Sequence, residues 1–110
     1  MADRTTPKPK LPFDDTTDFD DARRGLIGRL EPCVVKADDG RIVWDNSSYA
    51  FLDQPAPDSV NPSLWRQSQL VAMDGLFEVV PGVYQVRGMD LSNISFIEGD
   101  SGVLIVDPLI

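Results

Sequence analysis

Reverse-turn signals cut residues 76–106 into four short apolar runs, and this rhythm limits the possible folds more than any other feature of the chain. Leu76–Val80 and Val83–Arg87 flank Pro81-Gly82, while Asn93–Glu98 and Val103–Val106 flank Gly99-Asp100-Ser101-Gly102. Short runs rich in Val, Ile and aromatic residues, punctuated by Gly and Pro, form strands paired with their sequence neighbours, so the segment predicts a four-strand meander. Val103-Leu-Ile-Val is apolar at every position, which suits a strand covered on both faces. Such a strand needs neighbours and layers that Asp107 to Ile110 cannot supply, and the expectation is truncation of a larger fold.

The preceding residues predict a helix, a hairpin and a second helix. From Thr17, acids in the first turn, Arg23, Arg24 and Arg29 further on, and Phe19, Ala22, Leu26 and Leu30 at helical spacing predict a helix that Pro32 stops. Gly25 and Gly28 each cost about 1 kcal/mol relative to Ala in a helix interior, so this helix needs a surface to pack on. Cys33–Lys36 and Ile42–Trp44 flank Asp38-Asp39-Gly40, a hairpin signal. Residues 53–62 read as loop. Asn61-Pro62 reads as N-cap and first turn of a helix with Leu64, Trp65, Ser68, Val71 and Ala72 on one face, ending near Asp74-Gly75. Residues 1–17, with Pro7, Pro9 and Pro12, read as an extended, disordered tail. The Pro9-x-x-Pro12 spacing of polyproline ligands arises by chance in such tails.

A hydrophobic fraction of 42% with 25% charged residues permits a globular core. The formal net charge is −8, and the basic pair Arg23-Arg24 is offset by Asp20 and Asp21, which argues against a nucleic-acid partner. The single cysteine, Cys33, cannot form an intramolecular disulfide and beside Val34 and Val35 reads as a small buried hydrophobe. The N-terminus has no apolar signal region, and the longest apolar run falls far short of the roughly 20 residues of a transmembrane segment. The expectation is a soluble, cytoplasmic chain.

There is no histidine, the usual general base and a common metal ligand. Asp14, Asp15, Asp18, Asp20 and Asp21, like Asp38 and Asp39, lack the register of a calcium loop and read as capping and turn residues. Gly99-Asp100-Ser101-Gly102 copies the tetrapeptide around a trypsin-like nucleophile, but without a histidine it reads as a turn. Asp107 is the acid to single out, because it directly follows the most apolar strand, although an Asp-Pro turn explains it equally. Trp44 and Trp65 read as core or docking surface.

Two stretches go beyond generic pattern: Asn61-Pro-Ser-Leu-Trp-Arg-Gln-Ser-Gln-Leu, and the run from Gly75-Leu-Phe-Glu-Val-Val-Pro-Gly through Gly102-Val-Leu-Ile-Val-Asp-Pro-Leu. Together they resemble the start of an alkyl sulfatase of the metallo-β-lactamase superfamily. The resemblance implies an α+β fold: the first strands of an αββα sandwich over residues 76–110, preceded by a helix–hairpin–helix wrapping segment over 18–75. It also implies a parent that hydrolyses alkyl sulfate esters with two zinc ions, holds the alkyl tail in an apolar groove and forms a homodimer. The His-x-His-x-Asp-His ligand motif of such enzymes does not occur here, so no catalytic or metal-ligating residue is assigned and no cofactor is expected in this fragment. Asp107 matches a strand-ending acid that supports the metal ligands from behind. The fragment is expected to be inactive alone, its partner being the remainder of its parent chain. The alternative is a non-enzymatic α+β binding module that uses an exposed sheet edge.

Overall fold

A computed structural model describes residues 10–108. Residues 1–9, including Pro7 and Pro9 of the expected tail, and residues 109–110 lie outside the described residues. In chain order the elements are α1 (Thr17–Arg23), β1 (Leu26–Gly28), β2 (Val34–Lys36), β3 (Ile42–Asp45), a 3-10 segment (Asn46–Asp53), α2 (Pro62–Val71), β4 (Gly75–Val80), β5 (Val83–Arg87), β6 (Ile94–Glu98) and β7 (Val103–Val106). The class is α+β. One antiparallel sheet has the order β1-β4-β5-β6-β7, and β2 and β3 form a separate hairpin.

The meander forms where its turn residues demand it. Gly82 takes φ +83 between β4 and β5, and Gly99 N–H donates to the Gly102 carbonyl at 2.7 Å between β6 and β7, so the Gly-Asp-Ser-Gly tetrapeptide is a reverse turn. Gly40 at φ +85 closes the β2–β3 hairpin. The Asn61 side chain accepts from Ser63 N–H at 2.9 Å, with Pro62 at the first helical position, and α2 starts there.

Two expectations are corrected. The first helix does not reach Leu30: it stops at Arg23, Gly25 turns the chain at φ +80, and Leu26–Gly28 pairs with β4. The cause is non-local. Glu78 N–H donates to the Gly25 carbonyl at 2.8 Å, and ladder bonding to β4 replaces helical bonds that two glycines made weak. The inward face of α2 carries Trp65, Ser68, Gln69 and Leu70, whereas Leu64 and Val71 point outward. Trp65 and Gln69 are drawn in by polar partners: the Trp65 indole donates to the Gln54 carbonyl at 2.9 Å, and Gln69 donates to the Leu52 carbonyl at 2.7 Å. Arg66 joins α2 to α1, donating to Asp18 at 2.9 Å and to the Asp15 carbonyl at 3.0 Å, with its guanidinium over the Phe19 ring.

The core is thin. Among the described residues the buried apolar side chains are Cys33, Leu52 and Phe77. Register places Leu76, Val86, Ile94, Phe96 and Ile105 on the sheet face opposite Phe77, and none of them is buried. The two sheet edges differ. β1 is three residues long, contains Gly28 and carries a register shift, which are devices that end a sheet. β7 has none of these, and its four apolar residues are exposed, without the cover on both faces that such a strand suits and that the residues after it were not expected to supply. The pairings Gly75 with Arg87 and Ser95 with Val106 gather Asp74, the loop 88–93 and Asp107 at one end of the sheet.

Gly25→Ala tests the correction at α1. A Cβ there would run into the Glu78 carbonyl oxygen, and φ +80 is unfavourable for alanine, so denaturant titration should show a loss of about 2 kcal/mol or more. A long helix in this region would instead gain from the same substitution.

Candidate functional site

At the end of the sheet where β4 begins, four segments distant in sequence converge on one carboxylate. Asp74, only 4% exposed, sits between α2 and β4. Its Oδ1 accepts from Arg29 Nε at 2.7 Å, and its Oδ2 accepts from Asn46 Nδ2 at 2.9 Å. Asn46 Nδ2 also donates to the Gly88 carbonyl at 2.6 Å and approaches Cys33 Sγ at 3.4 Å. The other end of that amide accepts from the Trp44 indole at 2.8 Å, so donors and acceptors around it fix its orientation. Arg29 reaches Glu31 at 3.0 Å, and the Cys33 thiol lies 3.2 Å from Met89 Sδ.

Backbone geometry makes room for this convergence. Gly88 takes φ +76, and a Cβ on it would stand 2.8 Å from Asp74 Cβ. Gly75 takes φ +143, and a Cβ there would stand 2.7 Å from the Gly28 carbonyl oxygen. Both positions therefore admit only glycine without rearrangement. Beside the cluster is a concavity of about 580 Å³ between α1, the 3-10 segment and β4, lined in part by Phe19, Tyr49, Leu52 and Met73.

The electrostatics suit a structural junction. Burial pushes the Asp74 pKa upward, but the hydrogen bonds from Arg29 and Asn46 outweigh it and hold the carboxyl below its ordinary range. The bond to Asp74 raises the Arg29 pKa further. Burial, then the Asp74 charge, pushes the Cys33 thiol up, away from the thiolate that a nucleophile needs. An ionised, fully bonded Asp74 and a protonated Cys33 leave neither a free base nor a nucleophile. Every buried side-chain nitrogen and oxygen among the described residues has a partner.

Sequence reasoning singled out Asp107, and the structure does not bring it into this cluster. Asp107 is exposed, at φ +55, just beyond β7 at the same end of the sheet. Cys33 is buried, and Trp44 and Trp65 both donate to protein oxygens. The early acids cap and turn: Asp15 accepts from Thr17 N–H at 3.0 Å, and Asp39 accepts from Arg41 N–H at 2.9 Å. Among the described residues no three His, Cys, Asp or Glu side chains are grouped to hold a metal ion. Asp74, Asn46 and Arg29 escaped the sequence reading, although Gly75 and Gly88, both needing special backbone, were available as signals.

Two outcomes are expected. Because the folded Asp74 pKa lies below its unfolded value near 4, its contribution is complete above that value and is lost as pH falls through and below about 4. Asp74→Asn should flatten that part of the stability–pH curve and cost about 1–2 kcal/mol at pH 7, because Arg29, half exposed, can turn to water. Cys33 should resist a thiol reagent in the folded chain and react readily in denaturant; equal rates would contradict its burial.

No protein-family model matches the chain. It is 52% identical over 103 residues to a linear primary-alkylsulfatase from a Pseudomonas species, covering 92% of this chain and 15% of that protein. It is 50% identical over 101 residues to the alkyl/aryl-sulfatase BDS1 of Saccharomyces cerevisiae, covering 91% and 16%. An (R)-specific secondary-alkylsulfatase from Pseudomonas is 51% identical over 100 residues, with 90% and 15% covered. Among solved structures, the stereoselective inverting sec-alkylsulfatase Pisa1 from Pseudomonas matches with a TM-score of 0.79 and 52% identity, covering 86% of this chain and 15% of that one. The chain thus spans about 15% of the length of the curated relatives it matches.

Proposed function

We propose that this chain, which matches a partial region of alkylsulfatases at about half of its residues, works as a scaffolding segment of an enzyme that hydrolyses alkyl sulfate esters to alcohol and sulfate. The observation that carries the reading is identity of 50–52% sustained over at least nine-tenths of the chain in three relatives that share this activity in their names. The thin core and the bare apolar sheet face support it, because both suit a segment folded against further protein.

In this reading the segment supplies no catalytic group. The parent is a two-zinc hydrolase of metallo-β-lactamase type, and the zinc would supply an activated water for attack on the ester. The residues here do not fit as its ligands: histidine is absent, and no donor cluster occurs among the described residues. The ligands therefore belong to other parts of the parent, with Asp107 a supporting acid behind them. The parent is read as a cytoplasmic homodimer; among the described residues no helix is long and apolar enough to cross a membrane. A second reading, a binding module acting through its sheet edge, draws on the exposed β7.

A segment exchange separates the two. This chain, put in place of the matched region of the Pseudomonas linear primary-alkylsulfatase, should give a folded chimera that hydrolyses dodecyl sulfate, whereas the 110-residue chain alone should not. A folded but inactive chimera, or turnover by the isolated chain, would overturn the proposal. Cooperative melting of an isolated monomer would favour the binding module.

A further inference from the structure

The dipeptide Asp-Gly occurs twice in the chain, at Asp39-Gly40 and at Asp74-Gly75, and the fold puts the two copies in opposite circumstances. This dipeptide carries a chemistry of its own. The glycine amide nitrogen can attack the side-chain carboxyl carbon of the aspartate, and glycine has no Cβ to stand in the way. A bond forms between that nitrogen and Cγ, while the protonated carboxyl loses its OH, together with the amide hydrogen, as water. Water then opens the resulting succinimide at the bond between the nitrogen and the main-chain carbonyl carbon, which routes the backbone through Cβ and Cγ and leaves isoaspartate. The water released is balanced by the water taken up, so no oxidant or other reactant is required. What the step does require is freedom for the glycine nitrogen to swing onto Cγ, a property of local opening.

Asp39-Gly40 has that freedom at the tip of the β2–β3 hairpin. The Asp39 side chain is 69% exposed and accepts from Arg41 N–H at 2.9 Å. Gly40 N–H donates to the Ala37 carbonyl at 2.9 Å, an exposed turn bond that water can replace, and a Cβ on Gly40 would meet nothing within 4 Å. Asp74-Gly75 is closed on every side. The Asp74 side chain is 3% exposed, with one carboxylate oxygen taken by Arg29 and the other by Asn46. The Gly88 backbone packs against its Cβ, and Gly75 is paired with Arg87 in the sheet. The bonds that hold Asp74 ionised also keep it from the protonated form that the reaction consumes.

We propose that Asp39-Gly40 is a site of spontaneous isoaspartate formation, and that the Asp74 junction protects the same dipeptide at Asp74-Gly75. The product at the hairpin tip carries a free main-chain carboxyl group of the kind that isoaspartyl methyltransferases modify. The extra backbone carbon lengthens the turn, but the pairs Val34–Asp45, Val35–Trp44 and Lys36–Ile42 lie between the turn and Asn46, so the modified chain keeps its junction. The inference stands apart from the alkylsulfatase reading, because it concerns the stability of two peptide bonds in whatever parent carries them.

The test is to hold the purified 110-residue chain at neutral pH, warm, in buffer and in guanidinium, and to measure isoaspartate at each site by enzymatic methylation and peptide mapping. In buffer, isoaspartate should accumulate at Asp39 at least about 10-fold faster than at Asp74, the ratio set by the cost of opening the junction. In guanidinium the two rates should come within about 2-fold of each other, because the protection is structural. Asp39→Glu should abolish the product in the hairpin peptide, since the longer side chain would have to close a six-membered ring, and should leave the Asp74 peptide unchanged. Equal rates in buffer, or a faster rate at Asp74, would overturn the proposal. So would a tenfold difference that persists in guanidinium, which would assign the contrast to neighbouring sequence. Isoaspartate at Asp39 in guanidinium but not in buffer would show that the hairpin tip is itself protected, and would overturn the site.

Discussion

The ionised carboxylate of Asp74 is the point on which the arrangement of this chain depends. A buried carboxylate is tolerable only when its lone pairs are taken up, and the partners here come from far away in sequence: Arg29 after β1, Asn46 after β3, and through Asn46 the Gly88 carbonyl after β5. Desolvation thus dictates topology. Arg29 ties the residue after β1 to the start of β4, and Asn46 ties the β2–β3 hairpin to the end of the large sheet. Apolar packing alone is weak at this junction, with Phe77, Leu52 and Cys33 as the buried apolar side chains among the described residues.

What could be read from the sequence was whatever is decided locally. The Pro81-Gly82 and Gly99–Gly102 turns, the Asp38-Asp39-Gly40 hairpin and the Asn61-Pro62 helix start each depend on a few adjacent residues, and each forms where expected. What escaped depends on pairing across distance. Leu26 and Leu30 kept helical spacing with Phe19, yet an edge position on β4 outcompeted a helix containing Gly25 and Gly28. Asp74 looked like an ordinary helix-end acid because nothing beside it announces partners 45 and 28 positions away. The resemblance to alkyl sulfatases was carried by motif, and sustained identity over the chain agrees with it. The outward turn of Leu64 and Val71 shows the limit of periodicity, since hydrogen bonds from Trp65 and Gln69 set the rotation of α2.

A division of labour between reacting and architectural groups follows from this chemistry. Groups that react need shifted pKa values and access to substrate, while groups that hold architecture need saturation. The cluster around Asp74 is saturated, and outside it Asp15 and Asp39 serve turns while Asp18 pairs with Arg66. A segment of this kind contributes precision of placement, and its worth appears in what it orients.

The inequality of the two sheet edges has a kinetic consequence. An unguarded apolar strand such as β7 pairs with whichever strand arrives first. A strand tethered to the same polypeptide is present at an effective concentration on the order of millimolar, whereas a second copy at ordinary expression levels is far more dilute. In a longer parent of the kind proposed, intramolecular capture would win as long as the tethered strand were available and competent. When it is delayed, the same four residues become a nucleus for association between chains, so the yield of properly folded protein would depend on concentration and on the time β7 spends bare.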